Sequence, residues 1–262
     1  MKGDLNIKMA DYDILGNIVI IKSEGKTRKQ KLAQAKKLLD KPSIKTVLEK
    51  ASDVKGRLRT IKTKYVAGNR NKIAEVNENS CRFRFNVDTC YFSPRLSSER
   101  KANALQVRKK DAVLVMFAGV GVYPIVINKL AKPARIVGVE ISKECCKYFK
   151  ENLKLNKMEN QIEIIQGDVK KKISRKEKYD VVIMARPNLK ESFLKWGLLA
   201  SKKGARIFYH GFCHEDDLAG LIENLKIEAR GLRRKIRIGK VVKIGNIAPY
   251  KFRYRIEIRV LS

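Results

Sequence analysis

Two different rhythms of apolar positions run along the chain. Up to about residue 92 the rhythm is irregular. Residues 14–21 (ILGNIVII) read as one short buried strand. Residues 29–39 set Leu32, Ala35, Leu38 and Leu39 on one face of a helix whose other positions are mostly lysine and glutamine. Residues 43–48 and 65–68 are weaker strands. Residues 82–87 alternate as RFRFNV, a half-exposed strand with Arg82 and Arg84 on its polar side. The pattern predicts a compact α+β unit over residues 1–92.

Past residue 111 the rhythm becomes a regular β-α alternation. Strands are predicted at 112–117, 135–139, 162–165, 180–184 and 205–209. Helices are predicted from the glycine turn to about 130, at 143–155, and near 189–199 and 215–225. The end, residues 252–260 (FRYRIEIRV), alternates strictly and reads as an antiparallel strand pairing with 240–244. Repeated β-α units closing on a hairpin predict an α/β fold over residues 93–262. The sheet is mostly parallel, with an antiparallel C-terminal strand. That ending distinguishes the Rossmann-like class I methyltransferase sheet from ordinary dinucleotide-binding sheets.

Composition adds a partner. The 262 residues are 44% hydrophobic, enough for a real core, yet carry 59 Lys+Arg against 27 Asp+Glu, a formal charge of +32. A Lys-rich proteome accounts for part of such an excess. Its size, spread over both halves of the chain, points to a polyanion and hence to nucleic acid. Five cysteines without a CxxC pair do not suggest a disulfide framework, and they fit a reducing, cytoplasmic setting. The first residues contain no apolar signal core, and the longest apolar stretch, 113–127, is broken by Gly119, Gly121 and Pro124. A soluble protein with no membrane association and no implied protein partner is expected.

Candidate chemistry clusters at the predicted strand ends. Phe117-Ala118-Gly119-Val120-Gly121 follows the first strand of the second unit, where two glycines let a ligand approach the backbone. A lone Gly-x-Gly is equally an ordinary tight turn. Glu140 ends the next strand, where a carboxylate can accept two ribose hydroxyls, and Asp168 follows the third, where a side chain can meet an adenine edge. With the third glycine of a dinucleotide fingerprint absent, S-adenosylmethionine is favoured over NAD. The fourth strand ends in Met184-Ala185-Arg186-Pro187, a position that touches the target base in many nucleic-acid amino methyltransferases. It is otherwise a plain strand-to-helix turn. His210, Cys213 and His214 lack an evident fourth ligand, so no metal is expected.

Residues 91–100, YFSPRLSSER, followed by MFAGVGVYP, resemble the archaeal and eukaryotic tRNA (guanine-37-N1)-methyltransferases. IKTVLEK, GRLR, YVAG and ENSCRFRFNVDTCYF upstream, with FYHGFCHEDDL downstream, extend the resemblance from about Tyr12 to the end. It implies that Glu99 is the base that removes the guanine N1 proton and that Arg59 stabilises negative charge on the base. Tyr91, Arg100, Phe117, Ala118, Gly119, Gly121, Glu140, Ile141, Asp168, Val169 and Pro187 would form the S-adenosylmethionine pocket, and the partner would be the anticodon arm of tRNA. The chemistry is coherent, because guanine N1 is protonated at neutral pH and must lose that proton before it can attack a methyl group. On local sequence alone, Glu99 could instead be a surface ion-pair partner of Arg95 or Arg100.

Two departures stand out. The chain begins where the family's second domain normally starts. The family's Asn-Leu-Pro is here Ala185-Arg186-Pro187, which leaves room for the branch that methylates the tricyclic wyosine precursor. Competing expectations are aminocarboxypropyl transfer from the same cofactor, disfavoured by Arg95-Leu96 where that family has Gly-Asn, and a non-catalytic RNA-binding protein, disfavoured by intact Glu99, Glu140 and Asp168.

Overall fold

A computed structural model describes residues 12–22, 25–53, 56–174, 176–186 and 188–262. The chain opens with β1 (Tyr12–Leu15) and β2 (Ile18–Ile21), an antiparallel hairpin where a single strand is expected from the sequence. Gly16 is the reason. It sits at φ +59°, and a Cβ there would lie 1.7 Å from the carbonyl oxygen of Glu75, so only glycine reverses the chain at this place. Helix α1 (Arg28–Leu39) starts at a capping box of Thr27 and Gln30. It crosses from β2 to the parallel strand β3 (Thr46–Lys50), and β4 (Thr63–Gly68) completes a four-stranded sheet in the order β1-β2-β3-β4.

Strand β5 (Ile73–Glu78) pairs with β6 (Cys81–Asn86) as a separate hairpin. Alternation does not reveal β5, because its inward residues are Ala74, Val76 and the buried Glu78. The hairpin is clamped onto the second unit by helix α4 (Lys143–Leu155) and its cap. Asn152 accepts from the Arg84 N–H and donates to the Arg84 carbonyl, and Asn156 does the same at Arg82. Two asparagines one helical turn apart thus satisfy the free edge of β6.

The seven-stranded sheet contains β7 (Ala112–Met116), β8 (Arg135–Glu140), β9 (Glu163–Gln166), β10 (Tyr179–Met184), β11 (Ser201–His214), β12 (Ile236–Ala248) and β13 (Lys251–Val260), ordered β12-β13-β11-β10-β7-β8-β9. Five neighbours, β11-β10-β7-β8-β9, are parallel, and β13 inserts antiparallel between β11 and β12. Helices α2 (Ser97–Ala104), α3 (Val122–Ala131) and α4 cover one face, while α6 (Leu194–Ala200) and α7 (Leu218–Gly231) cover the other; α5 (Val169–Lys172) follows β9. Strand β11 runs five residues beyond the expected 205–209, because Arg206–His214 all pair with β13. Helix α6 starts at Leu194 rather than near 189, after Phe193 turns the chain at φ 60°. Among the described residues, no helix is long and apolar enough to cross a membrane.

Candidate active site

The parallel strands direct their carboxyl ends to one edge of the sheet, and the candidate residues gather there. At the end of β7 the chain turns through Phe117 (φ 63°), Gly119 (φ 58°) and Gly121 (φ 88°) into α3. The two glycines serve different ends. A Cβ on Gly121 would strike the Phe149 ring at 2.1 Å, so Gly121 lets the loop lie against α4. A Cβ on Gly119 would meet nothing within 4 Å, because this position faces open space. Glu140, buried at the end of β8, clamps the turn: Oε2 accepts from the Gly119 N–H at 2.8 Å and Oε1 from the Ser142 N–H at 2.8 Å. Burial raises its pKa, and these backbone hydrogen bonds only partly offset that.

Beside this loop lies an open cleft of about 880 Å³ lined by Arg59, Tyr91, Arg100, Phe117, Ala118, Gly119, Glu140 and Ile141. Eight sequence-selected residues thus share one cleft. Asp168 and Val169 line an adjoining slot of about 310 Å³, whose walls include Phe117, Ile141, Leu189 and Phe193. Asp168 caps α5 and bonds Arg57 at 2.7 Å; burial opposes its ionisation, but Arg57 and the Lys170 N–H outweigh this and lower its pKa. Gly121 shapes the loop without lining the cavity. Pro187 lies outside the described residues.

Arg59 and Tyr91 form one wall. Arg59 takes a left-handed backbone (φ 55°), a strained state for a non-glycine residue, and its guanidinium stacks on the Tyr91 ring at 4.0 Å. Burial of Tyr91 raises its pKa, yet Arg253 and Arg59 outweigh this and hold the phenol below its ordinary range. Arg100 is buried, with Nε and Nη2 both on the Glu78 carboxylate and Nη2 also on the Ser93 carbonyl, so the Nη1 end carries none of these bonds.

Glu99 is not a surface ion-pair residue. Arg95 bonds Asp13 and Arg100 bonds Glu78, while Glu99 is only 6% exposed. Its Oε2 accepts from Arg255 at 2.9 Å, its Oε1 accepts from Asn103 at 2.5 Å, and His210 Nε2 lies 3.5 Å from Oε1. Helix α2 presents Glu99 to a face where His210 of β11 stands opposite Arg255 of β13. Glu99 does not itself line the large cleft, whereas His210 does, beside Tyr123 and Arg253. Burial lowers the His210 pKa more than the neighbouring Glu99 raises it, so the imidazole is neutral at neutral pH.

Sequence reasoning does not find His210, Tyr123 and Arg253 as site residues. The available signal was the strand register, in which polar residues of β11 and β13 alternate onto the buried face toward α2. His214 instead lies far more exposed beside Asp216, and among the described residues no group of three or more His, Cys, Asp or Glu is arranged to hold a metal ion.

A mostly parallel sheet with this strand order, its last strand inserted antiparallel, and a glycine turn and buried glutamate at its carboxyl edge defines a class I methyltransferase. Residues 74–237 match the TRM5/TYW2 methyltransferase domain and residues 5–71 the TYW2 N-terminal domain. The chain belongs to the TRM5/TYW2 methyltransferase family. It is 34% identical to the tRNA (guanine(37)-N(1))-methyltransferase Trm5b of Pyrococcus abyssi, over 95% of this chain and 74% of the relative. It is 28% identical to the tRNA (guanine(37)-N(1))/4-demethylwyosine(37)-methyltransferase Taw22 of Nanoarchaeum equitans, over 95% and 99% of the two chains. A solved complex of aTrm5 with tRNALeu superposes with a TM-score of 0.83 at 27% identity, covering 96% of this chain and 72% of that one.

Proposed function

We propose that this chain transfers a methyl group from S-adenosylmethionine to N1 of guanine-37 in the anticodon arm of tRNA, as a cytoplasmic enzyme. The observation that carries the reading is the convergence, in a member of this family, of Arg59, Tyr91, Arg100 and Glu140 on one cleft backed by the buried Glu99–His210 pair. The residues present fit the cofactor. Gly119 leaves open space where a side chain would intrude, and the Glu140 oxygens keep lone pairs beyond their two backbone bonds for ribose hydroxyls. Arg100, which lines the cleft, would hold the amino-acid carboxylate, and the apolar slot ending at Asp168 would take the adenine ring. Bound there, S-adenosylmethionine supplies an electrophilic methyl group on a sulfonium.

The chain's own residues then manage one proton and one negative charge. Guanine N1 gives up its proton to Glu99 through the neutral His210. The N1–methyl bond forms as the methyl–sulfur bond breaks, and the Arg59 guanidinium stabilises charge developing on the base. Arg255 and Asn103 hold the Glu99 carboxylate in place.

Ala185 favours a second substrate. It lines the cleft at the end of β10 and offers no side-chain hydrogen bond, so the pocket also accepts the larger tricyclic wyosine precursor. Mass spectrometry of nucleosides from tRNA incubated with enzyme and S-adenosylmethionine tests the proposal. A methylated guanosine at position 37 is expected. An aminocarboxypropyl adduct, or no product despite cofactor binding, would overturn it.

A further inference from the structure

The wall built by Arg59, Tyr91, Phe92 and Ser93 has two sides. On the far side a second open cleft of about 830 Å³ runs between β2–β3 and the loop that leads into α2, sharing those four residues with the first. Its apolar lining includes Leu15, Ile20, Ile61, Val87, Phe92 and Pro94, and its cations, besides Arg59, are Lys22, Arg95 and Lys50, the last paired with the exposed Asp53. One carboxylate lines it, Asp13, already bonded to Arg95 at 2.7 Å. An apolar floor beneath a cationic rim suits a nucleobase with its phosphate, as in single-strand sites that combine base contacts with charge. Arg59 stands in both clefts, its guanidinium stacked on the Tyr91 ring that separates them.

We propose that this second cleft is a subsite for the nucleotide adjoining the target base, its base on Ile20, Ile61 and Val87 and its phosphate between Lys22 and Lys50. The inference rests on the RNA-modifying reading above. It adds that the enzyme grips the substrate on both sides of the Arg59–Tyr91 wall. Consecutive nucleotides of a single strand lie side by side, and the two clefts lie on opposite sides of one shared wall.

The test uses an anticodon stem-loop carrying the fluorescent base 2-aminopurine immediately 5′ or 3′ of the target, with fluorescence read on binding. One of the two positions should change its emission when wild-type protein binds. The double variant Lys22→Gln/Lys50→Gln should abolish that change and lower RNA affinity roughly tenfold near physiological salt, with a salt slope shallower by about 1.4. The control double variant Lys36→Gln/Lys37→Gln, on the last turn of α1, should lose less than about threefold, as expected for diffuse attraction. S-adenosylmethionine affinity, unchanged in both variants, reports an intact fold. No emission change at either position, or equal losses in the two variants, would overturn the subsite. Binding is read without turnover, so absence of methylation by the wild type would sink the proposed reaction and leave this measurement to decide the subsite on its own.

Discussion

Replacing Glu140 by glutamine separates two roles of one carboxylate, the clamp on the glycine loop and the ribose contact proposed above. Each oxygen accepts one backbone N–H at 2.8 Å, from Gly119 and from Ser142. The carbonyl of a glutamine can keep one of these bonds, but its NH2 must then face the other N–H. Leaving one buried donor unpaired costs about 1–3 kcal/mol, partly offset because a buried anion is also removed. The cofactor loses more selectively. Two ribose hydroxyls donating to a carboxylate are charge-assisted, and the change should weaken S-adenosylmethionine by about 1.5–3 kcal/mol, roughly 12- to 150-fold in Kd. Calorimetry gives the affinity and urea denaturation the stability. Burial raises the Glu140 pKa, so protonation begins above the ordinary carboxylate range. Burying the anion therefore costs stability at neutral pH, and this cost is relieved as pH falls through the folded pKa. Cofactor affinity should move the opposite way, declining with acidification from above the usual glutamate range, and the decline should vanish in Glu140→Gln. An affinity within twofold of wild type, alongside a lowered urea midpoint, would show that Glu140 only braces the loop and would refute its ribose role.

Three further outcomes follow from named contacts. Gly121→Ala should destabilise the fold by about 3 kcal/mol or more, through its positive φ and the collision with Phe149, whereas Gly119→Ala should cost about 1 kcal/mol of stability yet impair cofactor binding far more; urea melts and calorimetry on the pair would expose an inverted ranking. Glu99→Gln should slow single-turnover methyl transfer roughly a hundredfold or more with cofactor affinity nearly unchanged, since Arg255 keeps Glu257 as a partner; near-wild-type turnover would remove Glu99 from proton transfer. Ala185→Asn should favour guanine and penalise the tricyclic base by about 1–3 kcal/mol, read as product ratio on matched tRNAs, and an unchanged ratio would dismiss the pocket argument.

Much of this molecule is determined by local sequence. Strands β7, β8 and β10 are dense apolar runs because parallel strands are buried on both faces, and the ends of β7, β8 and the less buried β9 locate the glycine turn, Glu140 and Asp168 at one edge of the sheet. The YFSPRLSSER block, by resemblance, directs attention to Glu99 and Arg100. Pattern alone is silent where partners, and not neighbours in the chain, determine conformation. The β1–β2 reversal depends on a Glu75 carbonyl fifty-nine residues away from Gly16, and β5 hides its period because the buried Glu78 is neutralised by Arg100. Glu99 reads locally as a surface charge beside two arginines. Only the tertiary structure turns those arginines toward Asp13 and Glu78 and closes Glu99 in with Arg255, Asn103 and His210. An ion pair is chosen by distance and desolvation in three dimensions, and the antiparallel register that sets His210 opposite Arg255 is fixed by pairing across a sheet, which no single strand's pattern encodes.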